Sequence, residues 1–114
     1  MKVTIYHNPR CGKSREALRI LSEKEPDIEI VEYLKTPPSK EDILKILELT
    51  KVAAKDLIRT NEAEFKDNYK GKDLDEEGWI DALVKFPKLL QRPIVLTDVS
   101  GIVARPPELV NEIV

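Results

Sequence analysis

The order of strand and helix patterns along this chain is the feature that most restricts its fold. Residues 2–6 alternate between apolar and polar side chains and are rich in β-branched residues, which predicts a short strand. Residues 13–24 carry apolar side chains at helical spacing, and residues 27–33 predict a second strand. A strand, a helix and a strand in succession favour a parallel pair joined by a right-handed crossover.

The middle of the chain has helical patterns throughout. Ser39 with Asp42, directly after Pro37 and Pro38, predicts the start of a helix whose apolar face extends over 43–49. Further helical patterns cover 53–58, 62–68 and 74–86. Trp79 lies in the last of these and is predicted to be a core residue.

The last third of the chain returns to strands. Residues 93–97 and 102–104 predict a hairpin around a turn at 98–101, and Pro106 with Pro107 opens a final short helix that extends to Ile113. The patterns together predict one α/β domain over residues 1–114 with a mixed sheet, in the order β-α-β, a helical block, then β-β-α.

Composition excludes several classes of function. The chain has 114 residues, a formal charge of −2 and a sequence pI near 5.5, which does not suit a general nucleic-acid binder. One cysteine allows no intrachain disulfide, and one cysteine with one histidine makes a structural zinc site unexpected. Neither a signal peptide nor a membrane-spanning apolar run is present, so a reducing cytoplasm is the expected location.

The single cysteine, Cys11, lies where the first strand gives way to the first helix. Unpaired backbone amides and the helix dipole at such a position stabilise a thiolate. Arg10, Lys13 and Arg15 add local positive charge that is predicted to lower the thiol pKa. Ser14, at the opening of the helix, is a candidate hydrogen-bond donor to the thiolate, and a plain helix-start role is equally compatible with its position.

A small set of cationic and titratable residues completes the candidate site. Arg59 follows an apolar run, Arg92 precedes Pro93, and Arg105 precedes the two prolines at the end of the hairpin. Each arginine alone suits a solvated surface, but three together over a helix N-terminus would bind a tetrahedral oxyanion. His7, four residues before Cys11, is a candidate for tuning the loop or a hydrogen-bonded structural residue.

A reactive cysteine at a helix start, followed later by a proline directly before a strand, is the plan of a thioredoxin-like domain. In that plan Pro93 would follow a cis peptide bond and lie beside Cys11. The motif from Cys11 to Ser14 lacks the second thiol of a C-x-x-C exchanger, so disulfide chemistry would need an external thiol. It is also not a C-x₅-R phosphatase loop, because Ala17 is the sixth residue after the cysteine.

Four blocks occur in order along the chain: residues 5–15 around Cys11, 57–59 ending in Arg59, 92–95 beginning with Arg92, and 104–106 around Arg105. With these blocks the chain resembles the glutaredoxin-coupled arsenate reductase family. The resemblance spans essentially the whole chain and implies a thioredoxin-like domain with a helical insertion over about 39–86. It also implies that Cys11 is the nucleophile, assisted by His7 and Ser14, and that the three arginines bind the substrate oxyanion.

The implied reaction reduces arsenate to arsenite with glutathione as co-substrate, glutaredoxin as partner and no bound cofactor. Cys11 would form an adduct with arsenic, to which glutathione adds before glutaredoxin removes it. Two alternatives remain open at this point. One is a glutathione-dependent thiol oxidoreductase that uses the same cysteine on glutathionylated proteins, and the other is a redox regulator that binds RNA polymerase.

Overall fold

A four-stranded mixed sheet forms the centre of the protein. The computed structural model describes residues 2–114, and its strands are β1 (Val3–His7), β2 (Ile28–Glu32), β3 (Ile94–Leu96) and β4 (Gly101–Val103). The strand order is β2-β1-β3-β4. β1 is parallel to β2 and antiparallel to β3, and β3 is antiparallel to β4. The predicted parallel pair and the predicted hairpin are both confirmed.

The α-helices are α1 (Gly12–Lys24), α2 (Lys40–Thr50), α3 (Ala63–Asn68) and α4 (Glu76–Lys85). α2 to α4 lie between β2 and β3 in the chain, where the helical block was predicted. Short 3₁₀ helices cover Ala54–Leu57, Pro87–Leu89 and Pro107–Glu112. Two segments were predicted as ordinary helices, residues 53–58 and the C-terminal segment. Both form short 3₁₀ helices instead, because such brief runs gain little from α-helical propagation. The description of 39–86 as an insertion in a single domain stays a prediction.

Each face of the sheet is covered by its own apolar cluster. On one face, Val3 and Ile5 of β1 pack with Leu21 of α1 and with Val110 of the C-terminal 3₁₀ helix. On the other face, Tyr6 belongs to a larger cluster built with α2 and α4. This alternation along β1 follows from the period of two in a strand, and it places α1 and the α2–α4 block on opposite sides.

Trp79 is a core residue, as predicted. Its side chain is 5% exposed, and its ring stacks on Phe65 of α3 at a centroid distance of 6.2 Å. Tyr69 lies against the same indole at 6.0 Å and also contacts Phe86 edge-on. This aromatic group joins α3 to α4, so the short α3 is held by tertiary packing rather than by its own length.

The N-terminus of α2 carries the predicted cap in full. The Asp42 amide donates to Ser39 Oγ at 3.1 Å, and the Ser39 amide donates to Asp42 Oδ2 at 2.9 Å, which completes a capping box. No helix among residues 2–114 is both long and apolar enough to cross a membrane.

Ser39→Ala is expected to lower the free energy of unfolding by about 1 kcal/mol, because the amide of Asp42 loses its acceptor. Urea unfolding followed by circular dichroism measures this loss. Ser22→Ala is the matched control, since the Ser22 hydroxyl only donates to the Leu18 carbonyl on an exposed face of α1. Equal unfolding midpoints for both variants would contradict the role of the capping box.

Candidate active site

A tight turn between β1 and α1 holds Cys11 at the N-terminus of α1. The Cys11 amide donates to the Asn8 carbonyl at 2.9 Å, and the Arg10 amide donates to Asn8 Oδ1 at 3.0 Å. Cys11 has extended backbone angles and is the N-cap residue of α1, so it directly precedes the unpaired amides of the first helical turn. Its thiol is partly exposed to solvent and is free.

The pKa of the Cys11 thiol lies below its ordinary value. Burial alone would raise this pKa, but the Ser14 amide, the Arg92 guanidinium and the Lys13 amide hydrogen bond to the sulfur and outweigh that effect. The direction agrees with the prediction from sequence, and the helix amides contribute as predicted. The local cations do not dominate: Arg10 and Lys13 are exposed, and Arg15 donates to the Pro9 carbonyl at 3.0 Å. The distant Arg92 is the cation that acts on the thiol.

The lowered pKa predicts the pH dependence of the thiol's reactivity. Because only the thiolate is nucleophilic, its rate of alkylation by iodoacetamide should rise with pH and reach half its maximum below the pH at which free glutathione does. Parallel rate measurements on the protein and on glutathione across a range of pH test this. A half-maximum for Cys11 at or above that of glutathione would show that the thiol is not activated.

His7 and Ser14 form a buried polar pair below the cysteine loop. His7 is 6% exposed and Ser14 is fully buried, and His7 Nδ1 lies 2.6 Å from Ser14 Oγ. Ser14 Oγ also accepts a hydrogen bond from the Asn8 amide at 3.1 Å. Burial lowers the pKa of His7, with an opposing contribution from Glu32, so the imidazole is neutral at pH 7. The Ser14 side chain thus braces the turn, and its amide is the group that contacts the thiol.

Arg59 is brought to the site by backbone pairing between two distant segments. The Arg59 amide donates to the Leu89 carbonyl at 2.7 Å, and the Gln91 amide donates to the Leu57 carbonyl at 2.8 Å. Ile58 forms an isolated antiparallel bridge with Leu90 between these two bonds. The pairing fixes residues 57–59 beside residues 89–91. Arg92 comes directly after this second segment, so the pairing places Arg59 close to Arg92.

Arg92 connects the arginines to the cysteine. It directly precedes Pro93, the Arg92–Pro93 peptide bond is cis as predicted, and the guanidinium lies close enough to Cys11 to lower its pKa. Arg105 lies alongside, because its Nη1 donates to the Arg92 carbonyl at 3.0 Å. The Arg105–Pro106 bond is also cis, which was not predicted from the sequence.

Arg59 and Arg92 are largely buried, at 13% and 17% side-chain exposure, and Arg105 is partly exposed. The three arginines therefore converge.

Two further residues of the site were missed from sequence. Glu62 places Oε1 3.2 Å from Arg59 Nε and 3.7 Å from Arg92 Nη1. Tyr33, directly after β2, is fully buried, and its hydroxyl makes no hydrogen bond of normal geometry although Arg92 and Asn8 lie near it. Burial raises the pKa of this phenol, so it is a neutral hydroxyl beside Arg92. The i,i+3 spacing of opposite charges from Arg59 to Glu62 was the only available signal for either residue.

This arrangement joins a nucleophile to an anion-binding group. A thiolate at a helix N-terminus can attack an electrophilic centre, and guanidinium forks beside it can hold the oxygens of a tetrahedral anion. Arg92 Nε is buried without a hydrogen-bond partner, which leaves a donor for such a ligand. Fold and site together define a thioredoxin-like protein with a single free cysteine beside a cluster of three arginines.

Comparison with known proteins gives the family. The family model described as the ArsC family matches residues 6–113, so the chain belongs to the ArsC family. It is 45% identical to the "Uncharacterized protein YfgD" of Escherichia coli strain K12, over 99% of this chain and 97% of that one. It is 33% identical to the arsenate reductase of the same strain, over 97% of this chain and 79% of that one.

A solved structure agrees with this assignment. The structure described as arsenate reductase from Vibrio cholerae superposes with a TM-score of 0.93 at 34% identity, covering 100% of this chain and 98% of that one. The α/β fold with its mixed four-stranded sheet is thus the thioredoxin-like fold of the family, as predicted.

Proposed function

We propose that this protein reduces arsenate to arsenite, with glutathione and glutaredoxin as the electron donors. One observation carries the proposal: the Arg92 guanidinium lies close enough to Cys11 to lower its thiol pKa, and it belongs to the same cluster as Arg59 and Arg105. A tetrahedral oxyanion held by these three arginines would have its central atom close to the thiolate. Arsenate fits this chemistry because arsenic accepts a sulfur nucleophile.

The first step is the formation of a bond between sulfur and arsenic. The Cys11 thiolate attacks arsenic, one arsenate oxygen leaves as water after protonation, and arsenic keeps its oxidation state. The three arginines neutralise the oxyanion's charge as the thiolate approaches. The role proposed for His7 and Ser14 is to hold the turn that presents the thiolate, because Ser14 Oγ bonds to His7 Nδ1 and accepts from the Asn8 amide.

The reducing steps use thiols from outside the chain. Glutathione replaces a second arsenic oxygen, again with loss of water. A glutaredoxin thiolate then attacks the glutathione sulfur, and the pair of electrons of the sulfur–arsenic bond stays on arsenic. Arsenic(V) becomes arsenic(III), while glutathione and glutaredoxin are oxidised to their mixed disulfide. Water finally displaces arsenic from Cys11, which releases arsenite and restores the thiol.

A cleft beside the cysteine loop supports the use of glutathione. It has a volume of about 250 Å³, and its lining includes two cations, Arg10 and Lys35, the carboxylate of Glu32, and the apolar Pro9 and Leu34. Arg10 suits a carboxylate of a small peptide thiol, whereas Lys35 already pairs with Glu32 at 3.5 Å, and the apolar side chains suit the peptide's methylene groups. Because the chain has a single cysteine, the other two thiols of the cycle must come from solution. We therefore place the protein in a reducing compartment, the cytoplasm.

The proposal is tested by coupled NADPH oxidation with glutathione, glutathione reductase and glutaredoxin. Oxidation should depend on arsenate, and it should stop when either glutathione or glutaredoxin is omitted. NADPH oxidation without arsenate, driven instead by a glutathionylated protein, would replace the proposal by deglutathionylation. Turnover that persists without glutaredoxin would overturn the proposed electron donor.

A further inference from the structure

The Glu62 carboxylate interacts with two of the guanidinium groups, those of Arg59 and Arg92, that would bind an oxyanion. Its Oε1 accepts a hydrogen bond from Arg59 Nε at 3.2 Å, and the same oxygen is 3.7 Å from Arg92 Nη1. The Glu62 amide donates to the Arg59 carbonyl at 3.3 Å, which closes the turn and keeps this carboxylate at the pocket. The side chain is 25% exposed, so it has a path to solvent.

The carboxylate satisfies the arginines only in part. One oxygen serves both guanidinium groups, and its distance to Arg92 is that of an ion pair rather than a hydrogen bond. Arg92 Nε meanwhile is buried without a hydrogen-bond partner. A tetrahedral oxyanion presents several oxygens to these donors and would satisfy them better. It would also be repelled by a carboxylate that stayed in place.

We propose that Glu62 is a displaceable carboxylate that competes with the substrate oxyanion for Arg59 and Arg92 and so lowers the pocket's affinity for oxyanions. Binding would then require the Glu62 side chain to rotate away from the guanidinium groups toward solvent. This inference rests on the proposed function, because it concerns the same oxyanion pocket. It makes Glu62 a residue that sets affinity, not one that takes part in the chemistry.

A positioning role for Glu62 predicts the opposite sign. If its ion pairs held Arg59 and Arg92 in their binding geometry, neutralising Glu62 would disorder the two guanidinium groups and weaken oxyanion binding. If Glu62 competes, neutralising it frees both groups and strengthens binding. The direction of the change therefore separates the two roles, whatever its size.

The test measures arsenate binding directly by isothermal titration calorimetry. Cys11→Ser is the background, because this variant cannot form the covalent adduct. Glu62→Gln in that background should bind arsenate about three- to tenfold more tightly, the effect expected for loss of one part-buried competing charge. Asp67→Asn is the matched control: it removes one exposed carboxylate from α3, the helix that begins directly after Glu62, and should leave the affinity unchanged.

A second readout uses the chain with Cys11 intact. Freed from Glu62, Arg92 should stabilise the thiolate more strongly, so Glu62→Gln should lower the pH at which the ultraviolet absorbance of the thiolate appears. Weaker or unchanged arsenate binding, beside arsenate-dependent turnover by the unsubstituted protein, would overturn competition by Glu62 and leave the proposed function in place. No arsenate binding by either protein, with no arsenate-dependent turnover, would overturn both.

Discussion

Cys11→Ser should abolish arsenate-dependent turnover, with a loss of about a thousandfold or more. Serine keeps the size and position of the residue but has no thiolate at neutral pH, and no other sulfur nucleophile exists in the chain. The thiol is partly exposed and forms no part of the two core clusters, so the variant should fold normally. Coupled NADPH oxidation measures the activity, and the urea unfolding curve checks the fold.

This loss would assign the chemistry to Cys11 only if the oxyanion pocket survives in the variant. Arsenate binding to Cys11→Ser by calorimetry provides that control, because the arginines are unchanged. Retained binding with lost turnover is the expected pair of results. Turnover of Cys11→Ser at the unsubstituted rate would contradict the assignment of Cys11 as the nucleophile.

Arg92→Ala should have the second largest effect, because Arg92 acts on both the oxyanion and the thiol. Loss of a charged hydrogen-bonding group should raise KM for arsenate by about ten- to a hundredfold. Loss of the hydrogen bond from Arg92 to the Cys11 sulfur should also raise the thiol pKa, so kcat falls at neutral pH and recovers as the pH is raised. Steady-state kinetics at several pH values separate these two effects.

Arg59→Ala is the comparison that shows whether the change in thiol pKa is specific to the loss of Arg92. Arg59 belongs to the arginine cluster through Glu62, while the contacts that lower the Cys11 pKa come from Arg92 and the helix amides. Its loss should raise KM for arsenate without moving the alkylation profile of the thiol. Arg19→Ala, on the exposed face of α1, should change neither quantity. An unchanged thiol pKa in Arg92→Ala would contradict the dual role of Arg92.

Local patterns were enough to predict most of the fold. The parallel β1–β2 pair, the β3–β4 hairpin and the Ser39 cap each depend on residues that are close in sequence or on a general rule of connection. The 3₁₀ character of Ala54–Leu57 was not predictable in the same way. Backbone bonds of Leu57 and Arg59 to residues 91 and 89, about thirty positions later, fix the end of that segment, and the periodicity of the sequence does not reveal them.

In the candidate site, too, the features set by local sequence were predictable and those set by distant contacts were not. The position of Cys11 at a helix N-terminus follows from local pattern, whereas the convergence of the three arginines depends on tertiary pairing, and only the resemblance to a family predicted it. Tyr33 is indistinguishable in sequence from an ordinary buried residue at the end of a strand. The cation that acts on the thiol, Arg92, lies 81 positions from Cys11, so no count of charges near the cysteine could identify it.

The most direct test of the central claim is to measure the arsenic product itself. Arsenate is incubated with the protein, glutathione and glutaredoxin, and arsenite is quantified over time by chromatography with elemental mass spectrometry. We predict arsenite formation that depends on the protein, is lost in Cys11→Ser and requires glutaredoxin for repeated turnover. Arsenite formed no faster with the protein than with glutathione and glutaredoxin alone would contradict the proposal that this pocket reduces arsenate.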